Sequence, residues 1–200
     1  MSDKTAKKPA KRRIGAESSA TRAAILEATN AVIRDEGYAA ASTRRVAARA
    51  GLKPSLVHYY FPTTEDLLMA VMQAGAAESD AWLEGILNGP QPLQSLWRFF
   101  CDTSRNELSL EMMAMANHRP VLKAAIKDHS ERMRARQIEV IETVLGQKLI
   151  NTGGMPPAGV ALVLAGIGRA LMMEGGLGVS SGHKEAAKWV ENWLAQIVDD

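Results

Sequence analysis

Two hundred residues, 46% of them hydrophobic and 23% charged, suffice for a real core in one or two domains, which excludes a wholly disordered or fibrous chain. A single cysteine, Cys101, excludes an internal disulfide framework and a cysteine-based zinc site, and is expected to be a reduced core thiol. The net charge of +2 is unevenly spread: residues 1–66 hold twelve Lys and Arg against seven Asp and Glu, and residues 67–200 hold twelve against fifteen.

The basic character begins with Lys4, Lys7, Lys8, Lys11, Arg12 and Arg13, a run with too few apolar residues to offset the entropy of ordering. Residues 1–16 are therefore expected to form a flexible basic arm, suited to nucleic-acid phosphates or to plain solubility. No apolar run approaches the 18 or more residues of a membrane span and the start is too polar for a signal peptide. The expectation is a cytoplasmic protein without a membrane partner. Frequent Ala and Gly with few β-branched and aromatic residues lean toward helix, so an all-α fold of about nine helices is expected.

In chain order, Ile25, Leu26, Ala28, Val32 and Ile33 recur at helical spacing and predict a first helix over 19–35, closed by Gly37. Ser42 stands as the N-cap of a second helix over 43–50, which ends at Gly51. Pro54 opens a third short helix reaching Tyr60. Beyond Pro62, Thr63 or Thr64 caps a longer helix whose first turn carries Glu65 and Asp66, both favourable against the helix dipole. Gly89-Pro90-Gln91-Pro92 reads as a loop, followed by helices over 92–106 and 107–117. Pro120 opens the longest helix, with Ile126, Met133, Val140 and Val144 on one stripe. Residues 151–157 break the chain again. Ala158 to Met173 is apolar or small almost throughout, with Arg169 its lone charge, and such a helix must be covered on several sides. A glycine-rich turn over 175–182 precedes a last amphipathic helix over 183–198.

Two short helices joined by a glycine turn behind a supporting helix make a candidate helix-turn-helix. The second carries Ser55, His58, Tyr59 and Tyr60, hydrogen-bonding or stacking groups on a segment too short to be explained by burial. Arg44, early in the helper helix, is placed for a phosphate. Residues 21–71 resemble the DNA-binding domain of the TetR family of bacterial transcriptional regulators. Ser42 matches the family's cap of the second helix, Val46 and Ala47 its Ile-Ala pair, and Ala50, Gly51 and Leu52 its Ala-Gly-Val turn. His58, Tyr59, Tyr60 and Phe61 match its aromatic signature. The resemblance implies DNA contacts at Thr43, Arg44, Pro54, Ser55, Leu56, His58 and Tyr60. Two positions depart from it. Thr64 replaces a lysine that meets a phosphate at the start of the fourth helix, leaving a hydroxyl and a helix N-terminus for that oxygen. Lys53 replaces a capping Ser or Thr and offers a phosphate contact instead. The candidate DNA-binding set is thus Ser42, Thr43, Arg44, Lys53, Pro54, Ser55, Leu56, His58, Tyr59, Tyr60 and Thr64.

The expected organisation is the arm at 1–16, a helix-turn-helix domain at 17–66 and a ligand-binding and dimerisation domain at 67–200. A half-site reader gains from two-fold pairing, which sets two recognition helices about 34 Å apart on a palindromic operator. Gly159, Val163, Gly166, Ala170 and Met173 share one small-residue face that, with Trp189 and Trp193, forms the expected homodimer interface, in keeping with the family's pairing of its last two helices. The resemblance also implies a small-molecule pocket among the central helices. Trp82, Trp97, Phe100 and Met113 supply adaptable apolar surface for it, and Asn117, His118 and His129 polar groups, although each of these also reads as plain core, a helix end or a half-buried histidine. The function expected is a ligand-responsive regulator, a repressor by resemblance, released by an apolar or amphipathic inducer. The rivals are an enzyme, for which no phosphate loop, nucleophile elbow or HExxH motif is present, and a metal or small-molecule sensor with weak or lost DNA binding, drawing on Cys101, His118, His129 and the methionines at 112–115. Neither a cofactor nor a catalytic residue is expected.

Overall fold

A computed structural model describes residues 20–145 and 154–199, so the arm expected at 1–16 lies outside the described residues. Among these residues there are nine α-helices, one short 3-10 turn over Tyr38–Ala40, and no strand. The helices are α1 (Ala20–Glu36), α2 (Thr43–Arg49), α3 (Pro54–Tyr60), α4 (Thr64–Leu87), α5 (Pro92–Cys101), α6 (Thr103–Ala116), α7 (Pro120–Leu145), α8 (Pro157–Gly176) and α9 (His183–Asp199).

The punctuation that the sequence offers is used. Gly37, at φ 78°, ends α1, and the Ser42 hydroxyl accepts the Arg45 backbone N–H at 3.3 Å to start α2. Gly51, at φ 66°, closes α2 by a Schellman arrangement: its own N–H donates to the Ala48 carbonyl at 3.3 Å and that of Leu52 donates to Ala47 at 2.9 Å. Pro54 occupies the first turn of α3. Thr63, not Thr64, caps α4: its hydroxyl accepts the Asp66 N–H at 3.0 Å while the Asp66 carboxylate accepts the Thr63 N–H at 3.0 Å.

Two boundaries differ from expectation. The break expected near residue 106 falls at Asp102, whose extended backbone (ψ 102°) separates α5 from α6; its residue type favours a helix start, and the buried stripe of α5 has already ended at Phe100. The helix expected to stop at Met173 runs on to Gly176. The glycine that takes the left-handed conformation is Gly178, at φ 81°, and Val179 donates back to the Glu174 carbonyl at 2.9 Å, so Gly175 and Gly176 remain inside the last turn.

Three buried clusters organise the molecule. One binds α1, α2 and α3 together through Ile25, Leu26, Val46, Ala47, Val57 and Phe61, and includes Leu67, Ala70 and Val71 of α4. A second, with Val32, Ile33, Leu68, Met112, Met115 and Leu122, joins α1 and α4 to α6 and α7. The third packs the far end of α4 with α5, α7, α8 and α9. The division expected between residues 66 and 67 thus falls inside α4, whose first turns belong to the helix-turn-helix core. α5 and α8 approach closely: a Cβ on Gly168 would lie 2.5 Å from the Phe100 carbonyl oxygen.

α8 contradicts one sequence expectation. Its 20 residues, with a mean hydropathy of 1.4 over the most apolar stretch, are long and apolar enough to cross a membrane by length and composition. Val160, Ala161, Leu164, Ala165, Gly168 and Met172 bury its inner face, while Leu162, Val163, Gly166, Ala170 and Met173 are exposed on the other.

Candidate functional site

The helix-turn-helix presents a set of polar groups outward. α2 carries three arginines with different fates. Arg45 is clamped by the Glu36 carboxylate through bonds of 2.7 to 3.0 Å, which holds the Arg45 pKa up and that of Glu36 down, and Arg49 pairs with Asp35. Arg44 is exposed and has no ion-pair or hydrogen-bond partner among the described residues. On α3, Ser55, His58 and Tyr59 are exposed, Leu56 and Tyr60 are half-buried, and Val57 anchors the helix from below. Tyr59 meets Tyr60 edge-on with ring centroids 5.3 Å apart, so one ring projects while the other rests on the core. Lys53, Pro54 and Thr64 are exposed at the helix starts beside them, Thr43 is half-buried, and the exposed Ser42 uses its hydroxyl as the cap. Gly51, Leu52, Lys53, Ser55, Leu56 and Tyr59 line a shallow concavity between α2 and α3.

A cavity of about 430 Å³ lies among α1, α4, α5, α6, α7 and α8, within the size range of small-molecule sites. Its apolar wall includes Val71, Met72, Phe99, Phe100, Met112, Met113, Ile126, Met133 and Met172, and its polar wall Asn30, Arg34, Glu78, Ser79, His129, Ser130, Arg134, Gln137 and Arg169. Four buried polar atoms have no hydrogen-bond partner among the described residues: Asn30 Oδ1, His129 Nδ1, Arg134 Nη1 and Gln137 Oε1. All four residues stand on this wall. Burial, then the neighbouring Arg169 charge, pushes the Arg134 pKa down, against a weaker pull from Glu131. Burial likewise lowers that of His129, with Asp80 opposing and Arg132 adding to the fall.

Residues 25–71 match the model for bacterial regulatory proteins of the tetR family. Over this amino-terminal stretch the chain is similar to the TetR family. No curated protein matches the chain. Solved structures extend the likeness over nearly its whole length. A protein described as a TetR-family transcriptional regulator from a Rhodococcus species superposes with a TM-score of 0.68 at 19% identity, covering 90% of this chain and 100% of the other. A TetR transcription regulator from Haloarcula marismortui gives 0.68 at 19% identity, over 88% and 97% of the two chains. A protein described as a transcriptional regulator from Saccharomonospora viridis, in complex with choline, gives 0.70 at 18%, over 87% and 95%. At these identities the likeness is one of fold.

Behind the TetR-like domain, the expected pocket residues divide. Phe100, Met113 and His129 line the cavity. Trp82, Trp97, Asn117 and His118 do not. Trp82 stacks on Phe99 at 4.8 Å, Trp97 lies with Leu93 and Leu96 on the core face of α5, and Asn117 and His118 are exposed in the turn after α6, where no wall of the cavity passes. The reading missed Asn30, Arg34, Ser79, Arg134, Gln137 and Arg169. A signal was present: Asn30 sits between Leu26 and Ile33, and Gln137 between Met133 and Val140, polar residues at buried-stripe positions, and Arg169 interrupts an apolar helix.

Along the expected dimer face, Val163, Gly166, Ala170, Met173 and Trp189 are exposed, and Gly159 and Trp193 are half-buried. Trp189 and Trp193 stack in parallel with centroids 6.1 Å apart. Cys101 is half-buried and its pKa is pushed up to about 11, by burial and then by the Glu191 charge, which disfavours the thiolate that nucleophilic or metal chemistry needs. Among the described residues no group of three His, Cys, Asp or Glu side chains is arranged to hold a metal ion.

Proposed function

We propose that the chain is a ligand-responsive transcriptional repressor that binds a palindromic operator as a homodimer and releases it when a small molecule occupies the cavity. The observation that carries the reading is the sharing of two helices. α1 and α4 bury one stretch in the helix-turn-helix core and line the cavity with another, through Asn30 and Arg34 and through Met72, Gly75, Ala76 and Ser79. A ligand that favours one packing of these helices therefore biases the placement of α3 in a major groove, to the extent that its affinity differs between the two packings. The choline bound by the Saccharomonospora protein supports a small-molecule role for this fold.

In this reading residues 17–66 carry the reader and residues 67–200 the ligand and dimer functions. Arg44, Lys53 and Thr64 meet phosphates, with the helix starts at Ser42, Thr43 and Pro54 beside them; Ser55, Leu56, His58, Tyr59 and Tyr60 face the groove. The exposed apolar faces of α8 and α9 are covered by the same faces of a second copy, which presents two recognition helices to successive turns of DNA. Selection of genomic fragments by the purified chain is expected to return an inverted repeat. Arg44→Ala should weaken binding to it by about tenfold and flatten its salt dependence, since one phosphate contact disappears. Retention of no fragment would overturn the proposal.

A further inference from the structure

Three arginines line the cavity, Arg34, Arg134 and Arg169, against one acid, the exposed Glu78. Three arginines outside the cavity are answered, Arg45 by Glu36, Arg49 by Asp35 and Arg136 by Glu84 and Glu139, whereas Arg44 is left to solvent. Arg134 and Arg169 have no ion-pair or hydrogen-bond partner among the described residues, and the Arg169 charge stands near enough to act on Arg134. Gln137, 94% buried by its 6% exposure, turns an unpartnered carbonyl oxygen to the same wall, beside the unpartnered His129 and Asn30 atoms. Arg169 is exposed and Arg134 half-buried, but the buried Nη1 of Arg134 is a donor left without an acceptor, a cost that a ligand oxygen would relieve, whereas the Gln137 and Asn30 oxygens call for a donor. The rest of the lining, with Met72, Phe99, Met113, Ile126, Met133 and Met172, is apolar and adaptable.

We propose that the cavity takes a small organic monoanion, a carboxylate on an apolar body, with Arg134 and Arg169 meeting the carboxylate and the methionine-rich wall covering the body. This rests on the cavity being the ligand site of the regulator. The planar forks of guanidinium groups match a carboxylate in two bonds each, which fixes the ligand's orientation. A quaternary ammonium is disfavoured at the same place: the two cationic groups repel it, and Phe99 is already engaged with Trp82 and Phe100.

Three probes of equal chain length separate the contributions: octanoate, octan-1-ol and octyltrimethylammonium, titrated calorimetrically into the purified full chain without DNA at fixed ionic strength. Octanoate is expected to bind at least tenfold more tightly than either of the others. Arg134→Gln and Arg169→Gln should each weaken octanoate about tenfold and leave octan-1-ol within twofold, whereas Lys123→Gln, exposed on α7, changes neither. If Arg134→Gln does not fold, as judged by its melting curve, the exposed Arg169→Gln and the unsubstituted chain decide. Equal affinity for octanoate and octan-1-ol, tightest binding of the ammonium, no binding of octanoate, or unchanged octanoate affinity in the foldable variants would each overturn the proposal. DNA binding by a chain that ignores octanoate would remove the anion while leaving the regulator; octanoate binding by a chain that ignores all DNA would do the reverse.

Discussion

At the residue scale, partnering separates groups that composition leaves equivalent. Arg44, Arg45 and Arg49 read alike in the sequence, but the acids closing α1 take the second and third and leave the first to solvent. The sequence could place Arg44 early in the helper helix, where the structure leaves it exposed; it could not show that Glu36 and Asp35 occupy the other two, since that depends on the angle at which α1 and α2 meet. The same limit hid the polar wall of the cavity, where Asn30 and Gln137 lie on stripes that otherwise bury. Cys101 allows a direct check on burial. Its pKa stands at about 11 against an ordinary 9.0, so at pH 8 the thiolate is about a hundredfold scarcer than in an unfolded chain. Iodoacetamide should modify the folded protein at least that much more slowly than the urea-unfolded protein; comparable rates would contradict the assignment. Because the folded value is raised, the contribution to stability is full below pH 9 and is lost as pH rises through about 11, a loss that Cys101→Ser should remove.

At the element scale, most helices were legible because their ends are chemically marked. Ser42, Gly51, Pro54, Thr63 with Asp66, and Pro120 each satisfy or dispense with backbone groups that a helix end leaves open. Where the marking is redundant, legibility fails: a run of glycines after Met173 does not reveal which one turns left-handed. A different glycine is set by tertiary contact. Gly168 lets α8 cross α5 with no side chain between them, and an alanine there would place its Cβ 2.5 Å from the Phe100 carbonyl oxygen and 2.8 Å from its carbonyl carbon. Backbone cannot yield as a flexible side chain does. Gly168→Ala is expected to cost about 1–3 kcal/mol, lowering the melting temperature by several degrees, whereas Gly85→Ala, exposed on α4 with open space around it, should be neutral or stabilising by up to about 1 kcal/mol. A neutral Gly168→Ala would show that the two helices are not held this closely.

At the scale of the whole molecule, several of the exposed large apolar side chains stand on α8 and α9. Leu162, Val163 and Met173 of α8 and Trp189 of α9 are between 43% and 60% exposed, more than an isolated chain of this composition would be expected to leave open on two adjoining helices. The purified protein is expected to sediment at twice the mass of one chain. Val163→Glu should yield the single-chain mass and reduce operator affinity by about a hundredfold or more, because the second half-site is then no longer held nearby. A single-chain mass for the unsubstituted protein would remove the two-fold reading. The small-residue face was legible in the sequence because its spacing is helical; the cavity was only partly so, since its wall draws on six helices from Asn30 to Met172, and no local pattern reports which of their faces converge.

The 24 residues of α4 form one uninterrupted bar of about 36 Å, fastened by Leu67, Ala70 and Val71 at one end and by Leu83 and Ile86 at the other. Such a bar tilts more readily than it bends. With its fulcrum near Gly75, a rotation of about 5° would carry Thr64, about 17 Å away, through roughly 1.5 Å. Under the proposed function, a side chain exchanged along its middle turns to suit a different visitor would also re-aim the far end, tying taste to grip.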